Sequence, residues 1–298
     1  MVIEVIEVHK CGGKSVKDSE AMMNMANIFK KQIHRPAIIV VSAMAEMTNL
    51  LEKMHYEIVS GREAEAIILR KEFIDHHNNV VNELFPKKNN RIYTSKLPKL
   101  ENEFYQTFEK YQYLKEALVR DELVSFGERF CSLIFGQYLK TQDVQNRLVP
   151  AIEFMITDKN FGEANVDEKN IQHYINRRVK SLTSKGHLVL TEGFIGSTTI
   201  GKNTYPTTFP REGSDISTKI VADGLDAKKI IFWKDTWLMD KNPSDPSAKK
   251  ICFIKYDDYI SNLSKNGILH EKALNGKKIP IEIKNFNFPF EEGSMIIP

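Results

Sequence analysis

The chain has 298 residues, of which 42% are hydrophobic and 27% charged, the profile of an ordinary globular protein with room for one large α/β domain or two smaller ones. Its 42 basic and 39 acidic residues leave a net charge of +3, too balanced to argue for nucleic acid. No apolar run is long enough to span a bilayer, no charged-then-apolar signal peptide opens the chain, and Cys11, Cys131 and Cys252 show neither metal spacing nor a disulfide framework, which fits a reducing cytoplasm.

Taken in order, Val2 to Val8 alternates and is rich in β-branched residues, so it reads as a first strand. It runs into His9-Lys10-Cys11-Gly12-Gly13-Lys14-Ser15, where paired glycines let a bulky anion approach the backbone and Lys10 can stand over it. The spacing is neither GxxxxGK[ST] nor GxGxxG. Ser19 to Ile33 fits a helix with Met22, Met25, Ala26 and Phe29 on its core face. Ala37 to Val41 is an unbroken apolar run, expected as a central parallel strand. Small residues from Ser42 onward then lead to a helix with Thr48 or Asn49 near its start, the place where open α/β sheets bind ligands.

From Leu51 to about Gln142 the pattern is helical and polar, without strand signals. Within it, His76 and His77 are expected as a solvated or half-buried pair rather than a metal site, because adjacent helical residues face different sides. Pro86 to Tyr93 reads as a basic surface loop and Glu101 to Leu118 as an exposed helix. In the helix that follows, Leu123, Phe126, Phe130, Ile134 and Tyr138 form an apolar stripe. Gly127 costs that helix about 1 kcal/mol relative to alanine. A glycine on the buried side next to Glu128 fits close approach of another backbone or a ligand, although this helix taken alone reads better as tight helix packing with Glu128 paired to an arginine.

Leu148-Val149 and Phe154 to Ile156 suggest short strands, and Glu168 to Thr183 a helix. Leu188 to Leu190 is a buried strand, followed by a hairpin with Gly196 and Gly201 as turn residues and Thr204 to Phe209 as the return. Pro210-Arg211-Glu212-Gly213-Ser214-Asp215 opens an amphipathic helix whose apolar positions are Ile216, Ile220, Val221 and Leu225, with Ser214 or Asp215 the expected N-cap. Backbone amides at such a start suit a phosphate, and Arg211 can grip a carboxylate or phosphate with two parallel hydrogen bonds. The same loop also fits a well-capped helix with a solvated arginine. Ile230 to Trp233 is another buried strand ending at Lys234-Asp235, Asn242 to Pro246 a turn, Tyr256 to Ser264 a short helix, and Ile279 to Phe286 a last strand. Strands alternating with helices predict an α/β fold, a three-layer sandwich around a central, mostly parallel sheet. One domain, 1–298, with a helical insertion at about 51–142, is the simplest division.

Several separated segments resemble the aspartate kinases. His9 to Val16 resembles their KFGG(T/A)SV opening, Val41 to Asn49 their VSAMxxxTN turn, and Leu123 to Glu128 their L(L/V)SxGE helix. Thr191 to Ser197, Thr208 to Asp215 and Phe232 to Asp235 resemble TQGFIGS, TTLGR(G/E)GSD and IW(T/K)D. The resemblance implies an amino-acid-kinase fold and transfer of the ATP γ-phosphate, with Mg²⁺, to the β-carboxylate of L-aspartate. It implies catalytic roles for Lys10 and Asp215, and amino-acid binding by Thr48, Glu128, Arg211 and Ser214. Lys10, Gly12, Gly13, Ser42, Lys234, Asp235 and Asp240 correspond to the nucleotide side, and no residue corresponds to a dedicated metal ligand. A soluble cytoplasmic enzyme of lysine and threonine biosynthesis, with no nucleic-acid or membrane partner and with room for a homodimer, completes what it implies.

The chemistry suits those roles. A carboxylate is already ionised at neutral pH, so the nucleophile needs no general base. Two anions must be brought together, which makes catalysis a matter of positioning and charge neutralisation. The sequence departs from the pattern at Cys11, Lys14 and Pro210, through Thr236 to Asp240, at Ser244 and over Gly267 to Glu271, mostly on the nucleotide side. The family's C-terminal ACT domains are not seen in these residues, so feedback through them is not expected. Two other readings stand beside this one: a kinase for another carboxylate-bearing amino acid, and a catalytically weak kinase-like protein that binds a ligand.

Overall fold

The computed structural model describes residues 6–34, 36–86, 96–113, 117–263 and 268–298. Strands β1 (Glu7–Cys11), β2 (Ala37–Val41), β3 (Arg147–Leu148), β4 (Leu188–Glu192), β7 (Lys229–Lys234), β8 (Phe253–Lys255), β9 (Ile281–Asn285) and β10 (Ser294–Ile297) form one sheet in the order β3-β4-β2-β1-β7-β9-β10-β8. Every neighbouring pair is parallel except β9 with β10. The hairpin β5 (Ile195–Ile200) and β6 (Asn203–Thr208) is a separate two-stranded sheet. Strands β2 and β4 are buried along their whole length, as continuous apolar runs in a two-faced sheet must be.

Side chains alternate across β1, and that alternation assigns the layers. His9 points to the face covered by α1 (Ser19–Gln32), with its ring 5.6 Å from that of Phe29. Lys10 points to the other face, covered by α8 (Gly213–Gly224). Helices α2 (Met47–Val59), α3 (Glu63–Leu84), α4 (Leu97–Tyr113) and α5 (Ala117–Thr141) build the insertion, and α5 reaches the sheet on the α1 side, where Phe135 meets Phe29 at 6.2 Å. On the far side the chain runs through α6 (Ile171–Ile175), a π-turn over Asn176–Lys180 and α7 (Ser181–Thr183); α9 (Tyr256–Asn262) follows β8. The expected three-layer α/β sandwich is therefore the architecture, and no described helix is long and apolar enough to cross a membrane.

Several local expectations change. Strand β1 continues through His9 and Lys10 to Cys11, so Lys10 lies inside the strand rather than in the turn; Val2 to Val5 lie outside the described residues. The helix expected as exposed at Glu101 to Leu118 begins at Leu97 and buries Leu100, Phe104, Phe108 and Tyr111. Phe104 packs 4.9 Å from Phe73 between ring centroids, so α4 helps build the aromatic core of the insertion. His77 is fully buried in that core rather than solvated, its Nδ1 donating to the Phe73 carbonyl at 2.7 Å, and burial pushes its pKa down to about 3. Residues Phe154 to Ile156 form no strand; Ala151–Glu153 is a 3-10 turn and Ile156 makes an isolated bridge to Ser197. Gly196 sits within β5, leaving Gly201 at φ 63° to make the hairpin turn. The basic loop expected at Pro86 to Tyr93 lies, beyond Pro86, outside the described residues, as does Ser264; the helix expected to reach it ends at Asn262.

Candidate active site

Because β1, β2, β4 and β7 are parallel, their C-terminal ends share one edge, and a cleft of about 560 Å³ opens there. Two helices start at its walls. Both α2 and α8 begin after a glutamate in the left-handed region, Glu46 at φ 66° and Glu212 at φ 63°, and neither glutamate caps its helix with a side-chain hydrogen bond. Non-glycine residues rarely adopt this conformation, and such positions cluster at functional sites. Ser214 and Asp215, expected as N-caps, instead occupy the first turn of α8. The positive ends of two helix dipoles thus converge on one space, an arrangement suited to anions.

Close backbone approach fits these segments together. A Cβ added at Gly13 would lie 2.9 Å from the Ala43 carbonyl oxygen, and one at Gly127 would lie 2.9 Å from the Ala43 Cβ. Three distant stretches therefore meet at Ala43. The glycine in α5 serves close approach of the 42–48 turn, the first of its two readings.

The ionic centre is a carboxylate between two ammonium groups. Lys10 Nζ is 2.9 Å from Asp215 Oδ1, and Lys234 Nζ is 3.6 Å from Asp215 Oδ2. The His270 amide adds a longer contact, 3.4 Å, to the second oxygen. Burial works to raise the Asp215 pKa, but the ammonium groups of Lys10 and Lys234 outweigh it and hold the carboxyl below its ordinary value. Lys234 is pushed down, first by burial and then by Lys10, against the pull of Asp215. Two cations sharing one anion leave a positive surplus that an incoming anion can satisfy.

At the other end of the cleft stands Glu128. Its Oε1 accepts a hydrogen bond from the Ala43 amide at 3.1 Å, while its buried Oε2 has no partner. Among the described residues it pairs with no arginine; the neighbouring Arg129 bonds Glu103 instead. Burial, reinforced by nearby Glu192 and opposed by the Ala43 amide and Lys10, pushes the Glu128 carboxyl up to about 8. A buried carboxylate oxygen left unpaired in a cleft is costly unless a ligand donor meets it. Arg211 is exposed at the cleft and has no ion-pair partner among the described residues.

Nine of the expected residues line this one cleft: Lys10, Gly13, Ser42, Thr48, Glu128, Arg211, Ser214, Asp215 and Lys234. Gly12 lies beside it, where an added Cβ would sit 3.3 Å from Lys10 Nζ. Two do not belong to it. Asp235 turns to Lys14, 2.7 Å away, at a neighbouring cavity, because β7 ends at Lys234 and the next side chain points elsewhere. Asp240 accepts from the Lys249 amide at 2.7 Å and closes the surface loop bridged by Met239 and Lys250.

Sequence reasoning missed Arg120, Asp121 and Glu52. Arg120 and Glu52 line the cleft and are paired with each other, and Arg120 Nη1 also bonds Asp121 at 2.6 Å and Thr208 Oγ1 at 3.0 Å. Asp121, fully buried, accepts the amides of Gly162 at 2.8 Å and Thr208 at 2.7 Å, tying α5 to the 158–164 loop and to β6. In the sequence Arg120-Asp121-Glu122 reads as solvated charge near a helix start, and nothing local marks its burial.

Comparison with known proteins agrees with this fold. A model of the amino acid kinase family matches residues 6–285. The chain is 29% identical to lysine-sensitive aspartokinase 3 of Escherichia coli (strain K12) over 231 residues, covering 77% of this chain and 49% of that protein. It is 27% identical to chloroplastic aspartokinase 2 of Arabidopsis thaliana, covering 98% of this chain and 54% of that one. The chain thus spans about half the length of these curated relatives. Among solved structures, E. coli aspartokinase III in complex with aspartate and ADP matches with a TM-score of 0.86 and 26% identity over 99% of this chain and 64% of that chain. Carbamate kinase from Giardia lamblia shares the fold, at a TM-score of 0.52 and 10% identity.

Proposed function

Since the chain belongs to the amino acid kinase family, we propose that it transfers the γ-phosphate of ATP to the β-carboxylate of L-aspartate, giving 4-phospho-L-aspartate and ADP. One oxygen of the β-carboxylate forms a bond to the γ-phosphorus while the bond from that phosphorus to the β,γ-bridging oxygen breaks, and ADP leaves with the electron pair. No proton moves. That suits a cleft whose ionic centre is two lysines and a carboxylate already engaged by both.

The observation that carries the reading is the Lys10–Asp215 pair, 2.9 Å apart, at the meeting of two uncapped helix starts. Lys10 and Lys234 neutralise the transferring phosphoryl group, and Asp215 holds both ammonium groups in place. Gly12 and Gly13 give the phosphates access to the backbone, and Ser42 and Ser214 lie along the same path. Arg211, without an ion-pair partner among the described residues, takes the α-carboxylate, Glu128 Oε2 takes the amino group, and Thr48 completes that end.

The residues fit a magnesium ion that arrives on the nucleotide. Both oxygens of Asp215 are occupied by lysines, and no cluster of three metal-ligating side chains exists among the described residues. Bound to the phosphates, Mg²⁺ supplies charge neutralisation.

The test is ADP release measured against a panel of amino acids. Turnover is expected with L-aspartate, and Lys10→Ala should lower kcat by about 100-fold or more. Turnover with a different amino acid, or with none, overturns the assignment of substrate; full turnover in Lys10→Ala overturns the phosphate site.

A further inference from the structure

Glu128 has a second buried carboxylate beside it, Glu192, which does not line the cleft and which nothing in the reaction above uses. Glu192 ends β4 in register with Val41 of β2. The Gly193 amide donates to the Val41 carbonyl at 2.8 Å, and two residues after Val41 the Ala43 amide donates to Glu128. Ser132, one helical turn after Glu128 on the same face of α5, donates its hydroxyl to Glu192 Oε1 at 2.9 Å. The end of β2 and one turn of α5 thus hold both carboxyl groups together.

Their hydrogen-bond partners differ. Glu192 accepts at both oxygens, from the Ser132 hydroxyl and, at 2.7 Å, from the Ala151 amide. Glu128 accepts from the Ala43 amide at Oε1, while its Oε2 has no partner among the described residues. A carboxylate facing two fixed donors is favoured as the anion, whereas an oxygen without a donor is the cheapest place for a proton. Burial opposes ionisation of both groups, and the charge of Glu192 adds to the cost of charging Glu128. Lys10 from β1 favours the Glu128 anion, and Arg129 from α5 favours the Glu192 anion. The nearby Cys131 thiol is held well above its ordinary value by burial, and Arg211, Asp215 and Lys234 belong to the same cleft.

From these bonds we infer that Glu192 is a positioning residue for the cleft: it stays ionised and keeps the single proton of the pair on Glu128 Oε2. An ammonium group that docks on Glu128 takes the place of that proton, which leaves to solvent. The acceptor is then charged only when a cation arrives, and the empty cleft avoids two bare carboxylates in contact. The exchange rests on the proposed pairing of Glu128 with a substrate amino group. Where the proton sits in the free protein does not depend on which amino acid is the substrate.

The experiment follows the Glu128 carboxyl carbon by NMR through a pH titration of the substrate-free full chain, labelled with carboxyl-enriched glutamate. The signal is identified by its loss in Glu128→Gln. Glu192→Gln keeps both contacts of the native side chain. Its oxygen accepts from the Ala151 amide, and its amide donates to Ser132 Oγ, whose hydroxyl turns to the Arg129 carbonyl 3.2 Å away. In that variant the Glu128 midpoint should fall by about one pH unit. Ser132→Ala deletes one donor from Glu192 and draws the proton toward it, so it should move the Glu128 midpoint the same way. In turnover with aspartate the rising limb of kcat/KM should shift by the same interval, making Glu192→Gln about tenfold better than wild type well below the midpoint. A Glu128 midpoint unmoved or raised in Glu192→Gln, or in Ser132→Ala where the first variant does not fold, would overturn the role, since a merely structural Glu192 leaves it in place. The titration contains no amino acid, so turnover with a different substrate would overturn the proposed reaction and leave this result standing.

Discussion

At the scale of single residues, Glu128 gives the sharpest prediction. Its carboxyl ionises near 4.5 in a flexible chain but near 8 in the folded one. The folded state therefore holds an extra proton between these values, so this group's contribution to stability falls as pH rises from about 4.5 to about 8 and is constant outside that window. On the proposed pairing of Glu128 with the substrate amino group, activity follows the ionised form. The expected profile of kcat/KM for aspartate climbs with pH up to about 8, and Glu128→Gln both lowers and flattens it. A wild-type profile that is level across neutral pH contradicts the pairing. His77 shows the opposite sign: its pKa drops from 6.5 to about 3, so stability is lost as pH falls through that window. Acid denaturation of His77→Phe should lack this component. Asp121 is the other single residue on which much depends. Asp121→Asn removes the buried one of the two carboxylates that hold half-buried Arg120, leaving Glu52, and urea denaturation should report a loss of about 3 kcal/mol. Arg211 and Asp215 were legible in the sequence because they stand at a turn into a helix, whose chemistry is local, whereas Lys10, inside β1, and Glu128, inside α5, were marked by the resemblance of their motifs. Arg120 and Asp121 were not, because their burial depends on a loop and a hairpin folded over them from residues about forty and ninety positions away.

At the scale of elements, α5 offers an internal comparison. Gly127 and Gly136 both sit in its interior, yet an added Cβ would meet Ala43 Cβ at 2.9 Å at the first position and nothing nearer than 3.4 Å at the second. Gly136→Ala should therefore gain up to about 1 kcal/mol from helix propensity. Gly127→Ala should lose about 1–2 kcal/mol to overpacking and raise the KM for aspartate, because the 42–48 turn must shift. Equal thermal stability of the two variants would dispose of the close-approach argument. Periodic helices such as α1 and α5, and unbroken apolar strands such as β2 and β7, were readable from the sequence. Strands β8 and β10, with three and four residues, carry too little alternation to be seen. The starts of α2 and α8 misled for a different reason. A glutamate in the left-handed region contradicts its local preference, and only the packed surroundings hold it there.

At the scale of the whole molecule, the cleft collects residues from Lys10 to Lys234, carried by strands β1 and β7, by the segments that follow β2 and β4, and by helices α2, α5 and α8. No contiguous fragment contains it. Loss of aspartate binding and loss of far-UV circular dichroism should then share one midpoint in urea. A binding midpoint clearly below the spectroscopic one would show that the α2–α5 layer opens before the sheet does. Strand alternation with helices was enough to predict the layers, whereas the sheet order and the antiparallel β9–β10 return depend on contacts among distant segments. The bridged carboxylate of Asp215 has a mechanical consequence. With an ammonium lodged on each oxygen it cannot rotate without abandoning one of them, so the two lysines stand as a fixed tripod with it before any nucleotide arrives. A phosphate entering that tripod meets its counter-charges already aimed, and the barrier carries little reorganisation of the protein around the moving phosphorus.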